Sequence, residues 1–509
     1  MIAARLFPKS VLSLVFSCLV LAAFCAAAAH AQTLQDNEQR CGDDNAAPDL
    51  QIGACTALIQ SGQMTNANLA IAFYNRGNGY DAKGQYDLAI ADYTQALQLT
   101  PNDPESLMNR GNAYRSKQQY DLAIADYNAS LAARPNYALA LANRGLAEHY
   151  KGQDDVALQD IQAAISANSN LAVAYLDEGI VHNAQGQYDQ AIADYGNSIR
   201  IDTSDSDAYY DRGNAEYNKD DYTDAIADYT QYIHLDPSDP DGYNNRGNCY
   251  NDTDQYALAI ADFNQAIQLK PDYPLPFNNR GNSHRYLGQY DQAVTDYNQA
   301  IALDPSYELA YRNRGLAWQG ETNYAQAIQD FSAAIRLKPT DADAYADLGS
   351  AYNASYQFEL AVGNYTHAIQ LDAKNANSWN GRCWAHAILG DYTDAMTDCD
   401  QALQLDPKSA DILDSQAFIY LRQKNADKAI AGYNAALAIS PKLITSLYGR
   451  GVAEHMKGEL AAANSDISAA KALDPKIADE FVKWGVPVPA AAAPIHHTAT
   501  APAKTSGAH

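Results

Sequence analysis

Three columns of polar residues and a handful of cysteines are the parts of this sequence with chemistry to offer. Arginine recurs at Arg76, Arg110, Arg144 and onward to Arg450, and aspartate at Asp92, Asp126, Asp160 and onward to Asp466. Guanidinium and carboxylate at one fixed spacing suit a bidentate ion pair, or a phosphate site if the arginines stay unpaired. Asparagine recurs at Asn75, Asn109, Asn143, Asn245, Asn279 and Asn313, and three residues further on at Asn78, Asn112, Asn214, Asn248 and Asn282. Residues three apart share a helix face, and each amide offers a donor and an acceptor, the pair of groups that an extended peptide backbone needs. No serine–histidine pair, paired-carboxylate constellation or Cys-x-x-Cys spacing stands out. The sequence therefore predicts no catalytic residue, no metal site and no cofactor.

The spacing of these residues comes from an internal repeat. Glycine falls at Gly77, Gly111, Gly145, Gly179, Gly213, Gly247, Gly281, Gly315, Gly349 and Gly451, always at multiples of 34 residues, with Cys383 and Ala417 at the two missing steps. Twelve residues later stands alanine every time, from Ala89 to Ala463. Between these markers lie helix-period segments such as YDLAIADYTQAL, and proline closes most repeats, as at Pro101 and Pro237. Each repeat reads as two antiparallel helices with small residues where the backbones approach closely. Twelve repeats fill residues 70–477 without an insertion. Counting glycine as position 8, tyrosine favours position 11, alanine position 20, an aromatic position 24 and proline position 32.

This pattern resembles the tetratricopeptide repeat. The resemblance implies an all-α, right-handed superhelical solenoid of helix-turn-helix repeats whose first helices line a concave groove. It places the asparagines at positions 6 and 9 on that groove, a column similar to the asparagine ladder in the repeat domain of O-linked N-acetylglucosamine transferases. Peptide or protein partners follow from it, and the eleven asparagines named above are its candidate contacts. Towards the end the groove turns apolar: position 9 becomes Trp384, Phe418 and Val452, a patch that predicts a contact site, the alternatives being that tail or capping residues cover it or that the late repeats have drifted. Tyr232 at a close-contact position predicts a wider helix crossing in the fifth repeat.

The arginine and aspartate columns sit at positions 7 and 23, and where aspartate is lost (Asn364, Gly432) arginine is lost in the same repeat (Leu348, Gln416). That matching predicts pairing between the two helices of one repeat. Position 8 then lies near 24, which makes a Cys383–Cys399 disulfide feasible, while Cys41 and Cys55 could clip an amino-terminal cap and Cys249 is left as a buried thiol.

The ends read differently. Arg5 and Lys9 precede the apolar stretch from Val11 to Ala29, and Ala29-His30-Ala31 has the form of a cleavage site. Residues 1–31 thus predict a secretory signal peptide. Residues 32–69 read as a cap, 478–485 as the end of a capping helix, and 486–509 as a disordered Ala/Pro-rich tail. No second apolar run is long enough to span a bilayer. The formal charge of −26 disfavours nucleic acid and anionic membranes. The expectation is an exported chain, periplasmic or else extracellular, that binds proteins or peptides without catalysis. The alternative is a structural or assembly part of an envelope machine for polysaccharide export or outer-membrane assembly.

Overall fold

The computed structural model describes residues 33–43 and 45–488. The expected signal peptide and the tail beyond residue 488 lie outside them. Every regular element among the described residues is a helix, and the helices come in pairs that follow the 34-residue period: Pro104–Ser116 with Tyr120–Ala133, Ala138–Tyr150 with Asp154–Ala167, and so on to Ile444–Lys457 with Leu460–Leu473. No helix among them is long and apolar enough to cross a membrane. The chain forms two compact bodies that meet between Thr253 and Asp254. The first holds the cap helix Pro48–Ser61, repeats 1 to 5 and the first helix of repeat 6. The second holds the rest, ending in the short helix Ile477–Lys483.

Local rules set the helix ends. Asp103, Asp239 and Asp341 accept from backbone N–H groups of the first turn that follows them, and Pro104 and Pro240 occupy the first helical position, where their missing N–H costs nothing. Between the two helices of a repeat one residue takes a left-handed conformation. It is glycine at Gly84, Gly152 and Gly288, yet Gln118, Thr322 and Tyr356 adopt the same geometry at φ near +60°.

The core is a stack of single aromatic rings. Tyr93, Tyr127, Tyr195, Tyr229, Tyr297 and Phe331, all at position 24, are among the largest fully buried side chains, and the position-20 alanines beside them have no exposed surface. Glycine at position 8 makes room for each ring: a Cβ on Gly111 would stand 2.7 Å from Tyr127 Cε1, and one on Gly315 would stand 2.6 Å from Phe331 Cε1. The helical propensity lost to glycine, about 1 kcal/mol, is thus offset by packing. In repeat 10 a covalent bond takes the place of this contact. Cys383 and Cys399, at positions 8 and 24, form a disulfide, and Cys41 forms another with Cys55 in the cap. Cys249 is free and buried.

Tyr232 of the fifth repeat is met by a glycine at the start of the sixth. Gly242 faces the ring, with its Cβ position only 2.6 Å from Tyr232 Cδ1, so glycine supplies the room. The carboxyl end differs from expectation. The last helix begins at Ile477, and Val486, placed by sequence in the disordered tail, is buried at 5 % exposure.

Gly111→Ala should push Tyr127 out of its slot and cost about 1–3 kcal/mol. Urea denaturation of the full chain measures it, and a loss below about 0.5 kcal/mol would show that the ring contact is slack.

Candidate functional site

The arginine column is spent on structure. Arg110 Nε and Nη2 donate to the two oxygens of Asp126 at 2.7 Å each, and the same bidentate pair recurs in Arg76–Asp92, Arg144–Asp160, Arg314–Asp330 and Arg450–Asp466. The remaining nitrogen reaches the preceding repeat: Arg110 Nη1 donates to Thr94 at 3.1 Å, and Arg144 Nη1 to Asn128 at 2.7 Å. One guanidinium therefore ties the two helices of its own repeat and clamps the repeat before it. In two of the three repeats without arginine a polar contact replaces it, whereas in repeat 9 Leu348 is apolar and Asn364 turns to its own helix. Gln416 donates to Asp400 at 2.8 Å, and in repeat 4 His182 meets Asp194 at 2.6 Å. In repeat 11 the lost aspartate has a steric cause, because a Cβ on Gly432 would fall 2.8 Å from Cβ of Ala417. The pairs leave no arginine among them open to phosphate.

Arg110→Met should cost about 3 kcal/mol, because it strands the mostly buried carboxylate of Asp126. Arg110→Met combined with Asp126→Leu should cost less than the single change. Equilibrium unfolding of the three proteins tests this, and additive losses would refute the coupling.

The asparagine columns are wired into the fold as well. At position 9, Asn78, Asn112, Asn214 and Asn282 each accept the hydroxyl proton of the position-24 tyrosine of their own repeat, at 2.7–2.8 Å. The match between amide and hydroxyl is partial: repeats 3 and 8 lack both (Leu146 with Ile161, Leu316 with Phe331), but repeat 6 has Asn248 with Phe263, and repeats 4 and 11 have Tyr195 and Tyr433 with Ile180 and Phe418 at position 9. At position 6, Asn109 donates to Asn78 Oδ1 (3.0 Å) and Tyr74 Oη (3.1 Å) of the preceding repeat, and Asn245 repeats the arrangement with Asn214 and Tyr210. Asn313 donates to Asn278 at 3.0 Å, while Asn279 accepts from Asn278 at 3.1 Å. Asn75 and Asn143 are buried, and Asn248 is half-buried on helix Pro240–Asp252. The amides thus form a ladder between repeats, made from their own hydrogen bonds.

Three members of the position-6 column are acids, Asp177, Asp211 and Asp347, and the last accepts from Arg312 at 2.7 Å. Asp177 is buried with Oδ2 unpartnered, and burial raises its pKa to about 8 against the attraction of Arg115; burial raises Asp211 to about 6. An acid neutral in the fold but ionised near pH 4 when unfolded contributes its stability in full below about pH 4, and loses it as pH rises towards 8. Asp177→Asn restores the common amide. It should match the wild type at pH 4 and exceed it by more than about 1 kcal/mol at pH 8. Unfolding curves at both pH values check this; an equal change at the two would refute it.

The expected open patch at Trp384, Phe418 and Val452 is corrected. Phe418 and Val452 are 1 % and 4 % exposed, because the C-terminal turn lies on them. The Trp484 ring stands 5.0 Å from Trp384, and the Phe481 ring 5.9 Å from Phe418. Glycine at position 6 has a local cause there too. Gly381 and Gly449 make room for Tyr365 and Tyr433 of the preceding repeats, with Cβ positions 2.2 and 2.3 Å from the ring carbons.

An open cavity of about 690 Å³ borders this region in the second body. Asp411, Asp414 and Glu480 supply carboxylates to its wall, Tyr356, Trp384 and Trp484 supply rings, and no lysine or arginine lines it. Asp414 is buried, hydrogen-bonded by Ser446 at 2.5 Å, and raised by burial to about 6. Among the described residues no group of histidine, cysteine and carboxylate side chains could hold a metal ion.

Family comparisons agree with this architecture. Models described as TPR repeat match residues 77–115, 281–320 and 323–355, and models described as tetratricopeptide repeat match 104–137, 176–240, 210–274 and 376–409. The chain carries tetratricopeptide repeats in tandem, as an all-α solenoid, and no enzyme family is among these matches. No curated protein sequence matches it. Among solved structures, an APC/C hetero-tetramer, Cut9–Hcn1, is 16 % identical over 80 % of this chain and 93 % of that chain, with a TM-score of 0.44. Yeast Tom70 is 18 % identical over 82 % and 100 %, at 0.38. YrrB, described as a TPR protein with an unusual peptide-binding site, is 23 % identical over 37 % and 97 %, at 0.32.

Proposed function

We propose that the chain is a non-enzymatic scaffold that binds protein or peptide partners, and that the cavity beside repeats 9 to 11 receives a basic side chain of the partner. The observation that carries this reading is the cavity wall: three carboxylates, of which Glu480 is already paired with Lys483 at 3.0 Å, and five aromatic rings, with no lysine or arginine on the wall itself. An ammonium or guanidinium group meets both kinds of partner there, through charge-assisted hydrogen bonds and through the faces of the rings. The net charge of −26 adds long-range attraction for such a peptide. The tetratricopeptide architecture supports the same class of function, since it presents stacked helices and houses no separate catalytic domain. An exported location is part of this proposal, supported by the two disulfides, which persist in oxidising compartments.

The asparagine ladder is not assigned to the partner, because eight of its eleven amides are hydrogen-bonded within the protein, five of them between neighbouring repeats. Fluorescence anisotropy with lysine- and arginine-bearing peptides, and with charge-reversed versions, tests the proposal on the full chain. Basic peptides should bind at least about tenfold more tightly at low salt, and Asp411→Asn should remove most of the difference. Equal affinity for both peptide sets would refute it.

A further inference from the structure

The C-terminal segment does more than close the last repeat. From helix Ile477–Lys483 to Trp484 it meets side chains of repeats 9 to 12, all within the second body. Glu480 accepts the hydroxyl proton of Tyr356, 124 residues upstream, at 2.5 Å, and Lys483 donates to the same hydroxyl at 3.2 Å. Arg422 donates to the carbonyl of Trp484. Phe481 packs 4.6 Å from Tyr448 and 5.9 Å from Phe418, while Trp484 stands edge-on to Trp384. Trp384, Phe418 and Val452 all occupy position 9, so the segment runs along the inner face of successive first helices.

Seven residues of helix cannot persist alone in water, where isolated helices are marginal below about 12–15 residues. The segment is therefore helical because it is docked. Its grip rests on two aromatic side chains one turn apart and on polar contacts at an exposed rim, where Tyr356 is 43 % exposed. The surface beneath it is the apolar stripe that position 9 would otherwise leave open. Detaching such a segment leaves the helix pairs of the repeats intact, so it can open locally at less than the cost of global unfolding.

We propose that this stripe is a docking surface for an amphipathic helix carrying two aromatic residues one turn apart, and that Phe481 and Trp484 occupy it in cis until a partner helix of the same pattern displaces them. The partner is a protein helix that presents an aromatic pair to Trp384, Phe418 and Val452 and a carboxylate to Tyr356, as Glu480 does. A tethered segment competes at millimolar effective concentration. An external helix with the same contacts therefore binds the closed chain weakly, in proportion to the fraction that is open. This surface adjoins the cavity and shares Tyr356, Trp384, Glu480 and Trp484 with its wall, while Asp411 and Asp414 belong to the cavity alone, so the two readings are told apart at Asp411.

The test uses the full chain and a labelled synthetic peptide of residues 476–488. Phe481→Ala with Trp484→Ala should bind the peptide at least about tenfold more tightly than the wild type, and Tyr356→Phe, which loses only the rim hydrogen bonds, should gain a few-fold. In wild-type hydrogen exchange, amides of residues 478–486 should open at least about tenfold faster than those of helix Ile444–Lys457. Equal peptide affinity for all three proteins would overturn the proposal. So would a double variant that keeps exchange protection through repeats 9 to 11 yet binds no peptide. If the double variant loses that protection, the segment is a structural cap and the proposal fails. A concentration-dependent wild-type dimer that the double substitution abolishes would assign the surface to a second copy of the chain, and overturn the external partner. A chain that binds basic peptides through Asp411 but fails here leaves the cavity proposal standing.

Discussion

The contact on which everything else depends is an aromatic ring lying on a glycine. Position 24 of the second helix enters the first helix at position 8, and in most repeats glycine there leaves the room for it. The ring hydroxyl then needs a partner in an otherwise dry place, and the position-9 asparagine supplies one. That amide in turn accepts from the position-6 asparagine of the next repeat. One steric accommodation thus propagates into a polar network that sets how successive repeats meet. The arginine at position 7 acts beside it, joining its own repeat by two hydrogen bonds and the previous repeat by a third.

Much of this was legible from spacing alone. A strict 34-residue period fixed the helix pairs, and the joint loss of arginine and aspartate in the repeats of Leu348 and Gln416 exposed their pairing. The third arginine contact was missed, although a polar column at Thr94, Asn128, Thr230 and Asn434 was present to reveal it. The asparagines were read as groove lining because a column of amides on one helix face looks alike whether it faces a ligand or a neighbour. Their variation with the tyrosine hydroxyl was a partial signal: Leu146 accompanies Ile161 and Leu316 accompanies Phe331, but Asn248 accompanies Phe263 and Ile180 accompanies Tyr195.

The C-terminal segment was legible only in part: residues 478–485 read as the end of a capping helix and the apolar patch as a surface that capping or tail residues could cover, but not which contacts would hold it there. Periodicity reports on elements that repeat their environment, and residues 477–488 occur once. The apolar run at Trp384, Phe418 and Val452 correctly marked a surface in need of cover. Nothing in a local pattern identifies the contacts of a cover that arrives from a distant part of the chain. Tyr356 and Glu480 find each other through tertiary structure alone.

The disulfide of repeat 10 has a consequence for the array as a whole. In a stack where each repeat touches only its neighbours, loosening spreads from either end one repeat at a time. Repeat 10 has no ring on its glycine position, since Cys383 and Cys399 replace both partners. While the bond is intact its two helices cannot separate, and it acts as a firebreak against unravelling from the carboxyl end. Once the bond is reduced the same repeat has two small thiols where its neighbours have an interlocked ring, and the firebreak becomes the seam. The redox state of the surroundings thereby decides whether damage to the last repeats stays local or runs inward.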